Sequence, residues 1–155
     1  MGGKRQLSAS LEDYLEAIYV IIQDKDVARP KDVAQHLDVA ASSVTNALQG
    51  LVKRGLVNHA PYDSIALTER GEELAVGVLH RHQVLTRFFT DVLSVDADAA
   101  ARCACKMEHA VCDVVLNRLV DYAKFVKHSR PAGVRWVEGT GFVADEHLSE
   151  GGANA

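Results

Sequence analysis

The stretch "PKDVAQHLDVAASSVTNALQGLVKRG", Pro30 to Gly55, decides the fold. Its first part predicts a short helix from Pro30 to Leu37, because proline is well tolerated in the first turn of a helix. After "DVAA" a longer helix is predicted from Ser42 to Arg54, and Gly55 ends it. The inward face of this longer helix is expected to carry Val44, Leu48, Leu51 and Val52. Two helices joined by a tight turn form a helix-turn-helix.

The next stretch, "LVNHAPYDSIALT", predicts a β-hairpin, because two short β-prone runs flank the turn segment Pro61 to Ser64. A helix-turn-helix followed by a hairpin is the plan of a winged helix. The expected fold class is therefore mainly α, with an N-terminal winged helix-turn-helix, a small hairpin wing and further helices after it.

Helices are expected on both sides of this unit. Apolar residues at helical spacing predict a first helix over residues 10–24, with Ser10 as its N-cap. A connector helix begins after Thr68, and a last helical region spans Asp98 to Phe125 with a break near "CDVV". The apolar stripe of that last region exceeds what one thin helix buries, so a partner chain is its expected cover. The stripe consists of Val115, Leu116, Leu119, Val120 and Tyr122.

The pattern divides the chain into a winged-helix domain (1–70), a helical domain (71–127) and a Gly-rich polar tail (128–155). The tail has few apolar residues and is expected to be loosely docked or mobile.

Bulk composition restricts the compartment and the DNA surface. No apolar run approaches the roughly 20 residues of a membrane span, and "MGGKRQLSAS" lacks the apolar core of a signal peptide, so a cytoplasmic protein without membrane partners is expected. The net charge is −4, and residues 1–70 carry eight Lys and Arg against nine Asp and Glu, so any DNA-binding surface is local. Cys103, Cys105 and Cys112 are an odd number at close spacing, which favours reduced thiols.

The segment "CKMEH" places a thiol, a carboxylate and an imidazole within one helical turn. At about 100° per residue, Cys105, Glu108 and His109 share one face of a helix. When deprotonated, all three are lone-pair donors, and together they suit a transition metal better than calcium or magnesium. Donors on other helices that can complete the shell are Asp13, Glu16 and His82.

Most of these residues also have a simpler interpretation. Asp13 fits a capping box with Ser10, Glu16 fits a solvated surface residue, and Cys105 fits a small buried apolar position. His82 and His109 fit hydrogen-bonded helix histidines. The residues alone leave metal binding as one hypothesis beside these.

Five segments, in order over residues 10–125, resemble the diphtheria toxin repressor family of metal-dependent regulators, including its manganese transport regulator branch. They are "LEDYLEAIY", "VTNALQGLVKRGLV", "LTERG", "HRHQVLTRFF" and "CKMEH". The resemblance implies an N-terminal winged helix followed by a helical metal-binding and dimerisation domain. It also implies a homodimer that acts on palindromic double-stranded DNA.

The resemblance further implies a ligand set. The positions that match ligands of the manganese branch are Asp13, Glu16, His82, Glu108 and His109. Cys105 departs from that branch, which has Glu there, and is similar to the iron-responsive branch, which has Met at the position of Asp13. A hybrid site is therefore expected, with Mn²⁺ or Fe²⁺ as the cofactor and Co²⁺ or Zn²⁺ as further possibilities.

The outward face of the longer helix is the candidate DNA surface, because amides read base edges while hydroxyls and lysines contact phosphates. The alternative is an ordinary solvated helix face. The candidate DNA-binding residues are Arg29, Lys31, Ser42, Ser43, Thr45, Asn46, Gln49 and Lys53.

The predicted function is a metal-dependent repressor of metal-ion uptake, not an enzyme. Metal binding is expected to fix the DNA-reading helices, so that metal and DNA favour each other. Three alternatives stay open: a winged-helix regulator that senses a non-metal signal, a zinc-responsive regulator, and a small metalloenzyme in which an open metal position activates water.

Overall fold

The computed structural model describes residues 7–60, 64–129 and 133–144. Pro61, Tyr62 and Asp63 of the predicted wing turn, and residues 145–155 of the predicted tail, lie outside the described residues. The chain divides into two compact units, Met1–His80 and Arg81–Ala155.

The predicted mainly α architecture is confirmed. In chain order, the helices and strands are α1 (Ala9–Lys25), α2 (Pro30–Leu37), α3 (Ala41–Lys53), β1 (Val57–Ala60), β2 (Ser64–Leu67), α4 (Glu69–Arg87), a π-helical turn (Phe88–Val92), α5 (Ala97–Met107), α6 (Asp113–Ser129), β3 (Val134–Val137) and β4 (Gly141–Ala144). No described helix combines the length and the hydropathy that crossing a membrane requires.

Helix α1 begins earlier than predicted. Its N-cap is Ser8, whose Oγ accepts the backbone N–H of Leu11 at 3.3 Å, so the prediction of Ser10 as N-cap is wrong. A free N–H in the first turn needs an acceptor, and Ser8 provides it one half-turn before Ser10. Helix α2 begins at Pro30 as predicted, and Asp32 Oδ2 accepts the backbone N–H of Arg29 at 3.2 Å.

The first unit has a core formed by α1, α2 and α3. Leu15, Ile18, Val33 and Leu51 are fully buried within it. The predicted inward stripe of α3 is wrong at one position, because Val52 is 39% exposed. Ala47 is buried in the same stripe instead, together with Val44, Leu48 and Leu51. The buried face of α3 is therefore shifted from Val52 towards Ala47 relative to the predicted face.

The wing is an antiparallel hairpin, as predicted. Strands β1 and β2 pair with Val57 opposite Leu67 and Ala60 opposite Ser64. Ala28 adds a single bridge to this hairpin, because its carbonyl accepts the N–H of Ile65 at 2.8 Å. The segment between α1 and α2 is thereby fixed to the wing.

The start of α4 is fixed to the turn that follows α3. Thr68, the predicted N-cap, accepts the N–H of Gly71 on its Oγ1 at 3.0 Å and donates that hydroxyl to the carbonyl of Gly55 at 2.8 Å. A Cβ atom at Gly71 would lie 2.0 Å from the carbonyl oxygen of Leu56. Only glycine permits this approach of helix to backbone.

The second unit is built on the end of α4, the π-helical turn, α5 and α6. The predicted break in the last helical region is confirmed, since α5 ends at Met107 and α6 begins at Asp113. Leu85, Ala104 and Leu116 form a small core there. Helix α6 also carries large apolar side chains on its exposed face: Val114, Val115, Tyr122 and Phe125.

A second antiparallel hairpin, β3–β4, lies in the segment predicted as a polar tail. The rings of Trp136 and Phe142 meet edge to face across it, with centroids 5.0 Å apart. Ser94 Oγ donates to the carbonyl of Val134 at 3.3 Å and fixes the start of β3. The sequence prediction did not include these strands.

Candidate metal centre

Glu108 is the charged residue at the centre of the second unit. It is 1% exposed, although transferring an isolated carboxylate from water to a protein interior is unfavourable unless the charge is paired. His82 Nδ1 lies 2.6 Å from Glu108 Oε2. His109 Nε2 lies 3.4 Å from Glu108 Oε1. Each carboxylate oxygen therefore faces a different imidazole.

The end of helix α5 determines where this carboxylate lies. Glu108 is the C-cap of α5, with helical backbone angles, and its N–H donates to the carbonyl of Ala104 at 2.9 Å. His109 comes after the helix, in the turn that connects α5 to α6. The sequence predicted that Cys105, Glu108 and His109 share one face of a helix. In the structure α5 ends at Met107, so the turn after the helix determines where the imidazole of His109 lies.

Arg81 holds the main chain of Glu108. Its Nε donates to the Glu108 carbonyl at 2.8 Å. Arg81 and His82 are consecutive on α4, so neighbouring residues bind the main chain and the side chain of one acid. The sequence prediction included His82 and missed Arg81. A signal for it was the position of an arginine directly before a candidate ligand.

The donor set fits a divalent transition metal. His82 and His109 offer imidazole nitrogens, and Glu108 offers two carboxylate oxygens between them. Nitrogen and oxygen donors of this kind suit manganese, iron and zinc better than calcium, which takes oxygen ligands. The imidazoles are also mostly buried, with side-chain exposures of 27% for His82 and 11% for His109, so few water molecules compete for their nitrogens.

Cys105 lies on α5 and is exposed, unlike Glu108. Its position three residues before Glu108 places it about one helical turn away. Cys103 and Cys112 are exposed as well. The simpler interpretation of Cys105 as a small buried residue is therefore wrong.

The two remaining candidate ligands lie in the first unit. Asp13 and Glu16 are three residues apart on α1 and are both partly buried. The capping-box interpretation of Asp13 is wrong, because the N-cap of α1 is Ser8 and not Ser10.

The candidate DNA surface is exposed throughout. The residues concerned, on α3 and at the start of α2, are Arg29, Lys31, Ser42, Ser43, Thr45, Asn46, Gln49 and Lys53. Thr45 Oγ1 donates to the carbonyl of Ala41 at 3.1 Å, within the same helix. The buried residues of α3 lie on the opposite face, so this helix presents a polar surface to solvent.

Sequence profiles of one family match most of the chain. The profile described as iron dependent repressor, N-terminal DNA binding domain, matches residues 6–65. The profile described as iron dependent repressor, metal binding and dimerisation domain, matches residues 68–136. The first match covers the winged helix, and the second covers Glu108 and its two histidines.

Curated relatives agree with this assignment. An uncharacterised HTH-type transcriptional regulator of Methanocaldococcus jannaschii is 40% identical over 114 residues, which is 73% of this chain and 91% of the relative. The HTH-type transcriptional regulator MntR of Lysinibacillus sphaericus is 32% identical over 120 residues, which is 77% of this chain and 86% of the relative.

Solved structures show the same fold. The manganese regulator SloR matches with a TM-score of 0.68 and 28% identity, over 76% of this chain and 54% of that protein. A manganese-dependent transcriptional repressor in complex with manganese matches with a TM-score of 0.67 and 29% identity, over 74% of this chain and 53% of that protein. This chain spans about half the length of those two proteins. The chain belongs to the iron-dependent repressor family, and it is a metal-dependent transcriptional repressor.

Proposed function

We propose that this repressor is activated by binding Mn²⁺ or Fe²⁺, and that the activated protein represses genes of metal-ion uptake. The proposed ligands are Asp13, Glu16, His82, Cys105, Glu108 and His109. The observation that supports the proposal most strongly is the buried Glu108 carboxylate, with one imidazole beside each of its oxygens. A bound cation would supply the positive charge that makes a buried carboxylate favourable.

The ion is proposed from the donor types. Asp13 and Glu16 are hard oxygen donors, which favour manganese, whereas a thiolate at Cys105 favours softer ions such as iron(II), cobalt or zinc. Two of the similar solved structures agree with the harder choice, since one is described as the manganese regulator SloR and the other as a manganese-dependent transcriptional repressor in complex with manganese. Mn²⁺ and Fe²⁺ are therefore the proposed activators, and a zinc-responsive regulator is the second candidate because of Cys105.

The proposed mechanism couples metal to DNA through α1. When Asp13 and Glu16 bind the ion together with His82 and Glu108, α1 loses conformational freedom. Helix α1 packs with α2 and α3 in one core, so restricting α1 restricts the reading helix as well. Ordering that precedes DNA binding removes an entropy cost from the DNA-binding step.

The proposed DNA contacts lie on α3, with Asn46 and Gln49 reading bases and Lys31, Arg29 and Lys53 contacting phosphates. Two copies of α3 must reach half-sites about one DNA turn, or a multiple of it, apart, which requires a dimer and a palindromic operator. The exposed apolar face of α6 is the proposed dimer surface, since Val114 is 69% and Phe125 is 62% exposed. Apolar patches of this kind mark interfaces.

The proposed division of labour follows the predicted domains. Residues 1–70 read DNA, residues 71–127 bind metal and pair with a second copy, and no role is assigned to the Gly-rich polar tail, residues 128–155. No enzymatic activity is proposed, because the donors assigned above are used for binding the ion and leave no general base assigned to a reaction.

A titration of DNA binding with metals tests this function. The metal-free protein is mixed with DNA selected from a random pool in the presence of Mn²⁺, and fluorescence anisotropy follows binding as Mn²⁺, Fe²⁺, Co²⁺ or Zn²⁺ is added without oxygen. We expect DNA affinity to rise by about tenfold or more with the native ion, in line with typical coupling free energies. Equal affinity before and after complete chelation would support a regulator of a non-metal signal instead.

Replacing Cys105 with glutamate in the same titration tests the role of the thiol. If Cys105 binds the ion, Cys105→Glu should move the ranking of the four metals towards manganese, because a carboxylate is a harder donor than a thiolate. Cys103→Glu is the matched control, since Cys103 is also exposed on α5. An unchanged ranking in Cys105→Glu would remove Cys105 from the ligand set.

A further inference from the structure

We infer that Arg81 is a positioning residue for the metal centre, which holds the Glu108 main chain so that the carboxylate and the imidazole of His109 converge on one ion. The inference rests on the proposed metal function. It assigns to Arg81 no direct contact with the ion.

The contact itself is a directed hydrogen bond. Arg81 Nε lies 2.8 Å from the Glu108 carbonyl oxygen. The next residue, His82, places Nδ1 2.6 Å from Glu108 Oε2. Two consecutive residues of α4 therefore fix both the peptide and the side chain of Glu108, and rotation of either part requires breaking one of these contacts.

Helix α5 needs this donor at its C-terminus. The last carbonyls of a helix have no partner within the helix, and a cation near them is favourable because of the helix dipole. Glu108 is the C-cap residue of α5 and is 1% exposed. Arg81 supplies a donor to the carbonyl at this buried position, where the chain turns towards His109.

The charge of Arg81 argues against a simpler electrostatic role. A guanidinium near a metal centre repels the cation, so a residue kept there only for its charge would weaken metal binding. A residue that positions ligands strengthens metal binding in spite of its charge. The two roles therefore predict effects of opposite sign when the side chain becomes neutral.

Two neutral substitutions separate the hydrogen bond from the charge. Arg81→Gln keeps an N–H donor on the atom that follows Cδ, as in arginine, whereas Arg81→Met has a similar length and no donor. Arg87→Met is the control on the same helix, because Arg87 is exposed. The full-length, metal-free proteins are titrated with Mn²⁺ by calorimetry and with Co²⁺ by absorption spectroscopy, in the absence of DNA.

We expect Arg81→Met to bind Mn²⁺ about 10- to 100-fold more weakly, as is typical when an outer partner of a metal ligand is lost. Its Co²⁺ spectrum should change, since the ligand geometry changes. Arg81→Gln should keep the wild-type spectrum and bind Mn²⁺ at least as tightly as the wild type, since it keeps the donor and loses the charge, and Arg87→Met should retain the wild-type affinity and spectrum. If Arg81→Met does not fold, Arg81→Leu, which also lacks a donor, takes its place.

Wild-type affinity and spectrum in Arg81→Met, or tighter binding than in the wild type, would overturn the inference. Failure of the wild type to bind any of the metals would instead contradict the proposed function. Amide exchange of the metal-free proteins separates the two cases. The amides of Ala110 and Val111, which bond the Met107 carbonyl at 3.0 and 3.1 Å, should exchange faster in Arg81→Met, and unchanged exchange contradicts the positioning role with or without a metal.

Discussion

Replacing Glu108 with glutamine should abolish high-affinity metal binding, with a loss on the order of 100-fold or more, because losing a direct ligand costs more than losing an outer partner. Glutamine keeps the shape of the side chain and removes its negative charge. The carboxylate is the group that both His82 and His109 face, at 2.6 and 3.4 Å. Calorimetric titration with Mn²⁺ measures the loss.

Thermal unfolding gives a second test of the same variant. A ligand that binds only the folded state raises the unfolding temperature, so the wild type should be stabilised by Mn²⁺ and Glu108→Gln should not. The metal-free variant should be at least as stable as the metal-free wild type, because glutamine needs no counter-charge when buried. Glu73→Gln on exposed α4 surface is the control and should behave as the wild type. If Glu108→Gln bound Mn²⁺ with the wild-type affinity, the contact between Glu108 and His82 would be a structural hydrogen bond and not part of a metal site.

The largest effect on stability is expected for Gly71→Ala. The new Cβ atom would lie 2.0 Å from the carbonyl oxygen of Leu56, where neither backbone moves without breaking other contacts. The same carbonyl accepts the N–H of Thr68 at 3.1 Å, and Thr68 caps α4, so displacement of α4 disrupts the cap as well. We expect a loss of about 3 kcal/mol in the free energy of unfolding, at the upper end of the range for overpacking. Denaturant unfolding measures it.

Gly50→Ala is the matched control. A Cβ atom at Gly50 would meet Leu11 and Arg54 at 3.6 Å, an ordinary contact distance. Alanine is the better helix former, so this variant should gain about 0.5–1 kcal/mol. Equal stability of the two variants would show that α4 and the turn after α3 do not pack as described.

The sequence was sufficient for the winged helix, because its elements are set by local signals. Pro30 marks the start of α2, Thr68 caps α4, and the wing follows from two β-prone runs. The errors arose at positions where two neighbouring residues fit the local pattern equally well and tertiary packing determines which of them is used. Both Ser8 and Ser10 can cap a helix, and Val52 is apolar at the edge of the buried stripe of α3. Periodicity does not distinguish such neighbours, whereas the core does.

The second hairpin shows a different limit. Strands β3 and β4 have four residues each and lie among glycines and charged residues. An alternation of apolar and polar residues over so few positions does not identify a strand. Their pairing is supported by the contact between Trp136 and Phe142, which are six residues apart. Cross-strand pairs of this kind become visible only when the register is known.

The structure brings the candidate ligands His82, Glu108 and His109 together, but the sequence predicted their geometry only in part. "CKMEH" indicated a common helical face, yet α5 ends at Met107 and His109 is placed by the turn. Exposure also separates Cys105 from Glu108, although both lie near the end of α5. Arg81 was missed although it directly precedes His82, because its contact is a hydrogen bond to a main-chain atom 27 residues away.

The central claim is that metal binding and DNA binding are linked by one coupling free energy. Its most direct test measures the effect of each ligand on the affinity for the other. Mn²⁺ affinity is determined with and without saturating selected DNA, and DNA affinity with and without saturating Mn²⁺. Linkage requires the two ratios to be equal, and we predict a factor of about ten or more in each. A Mn²⁺ affinity that DNA leaves unchanged would contradict the account, whatever ion the protein binds.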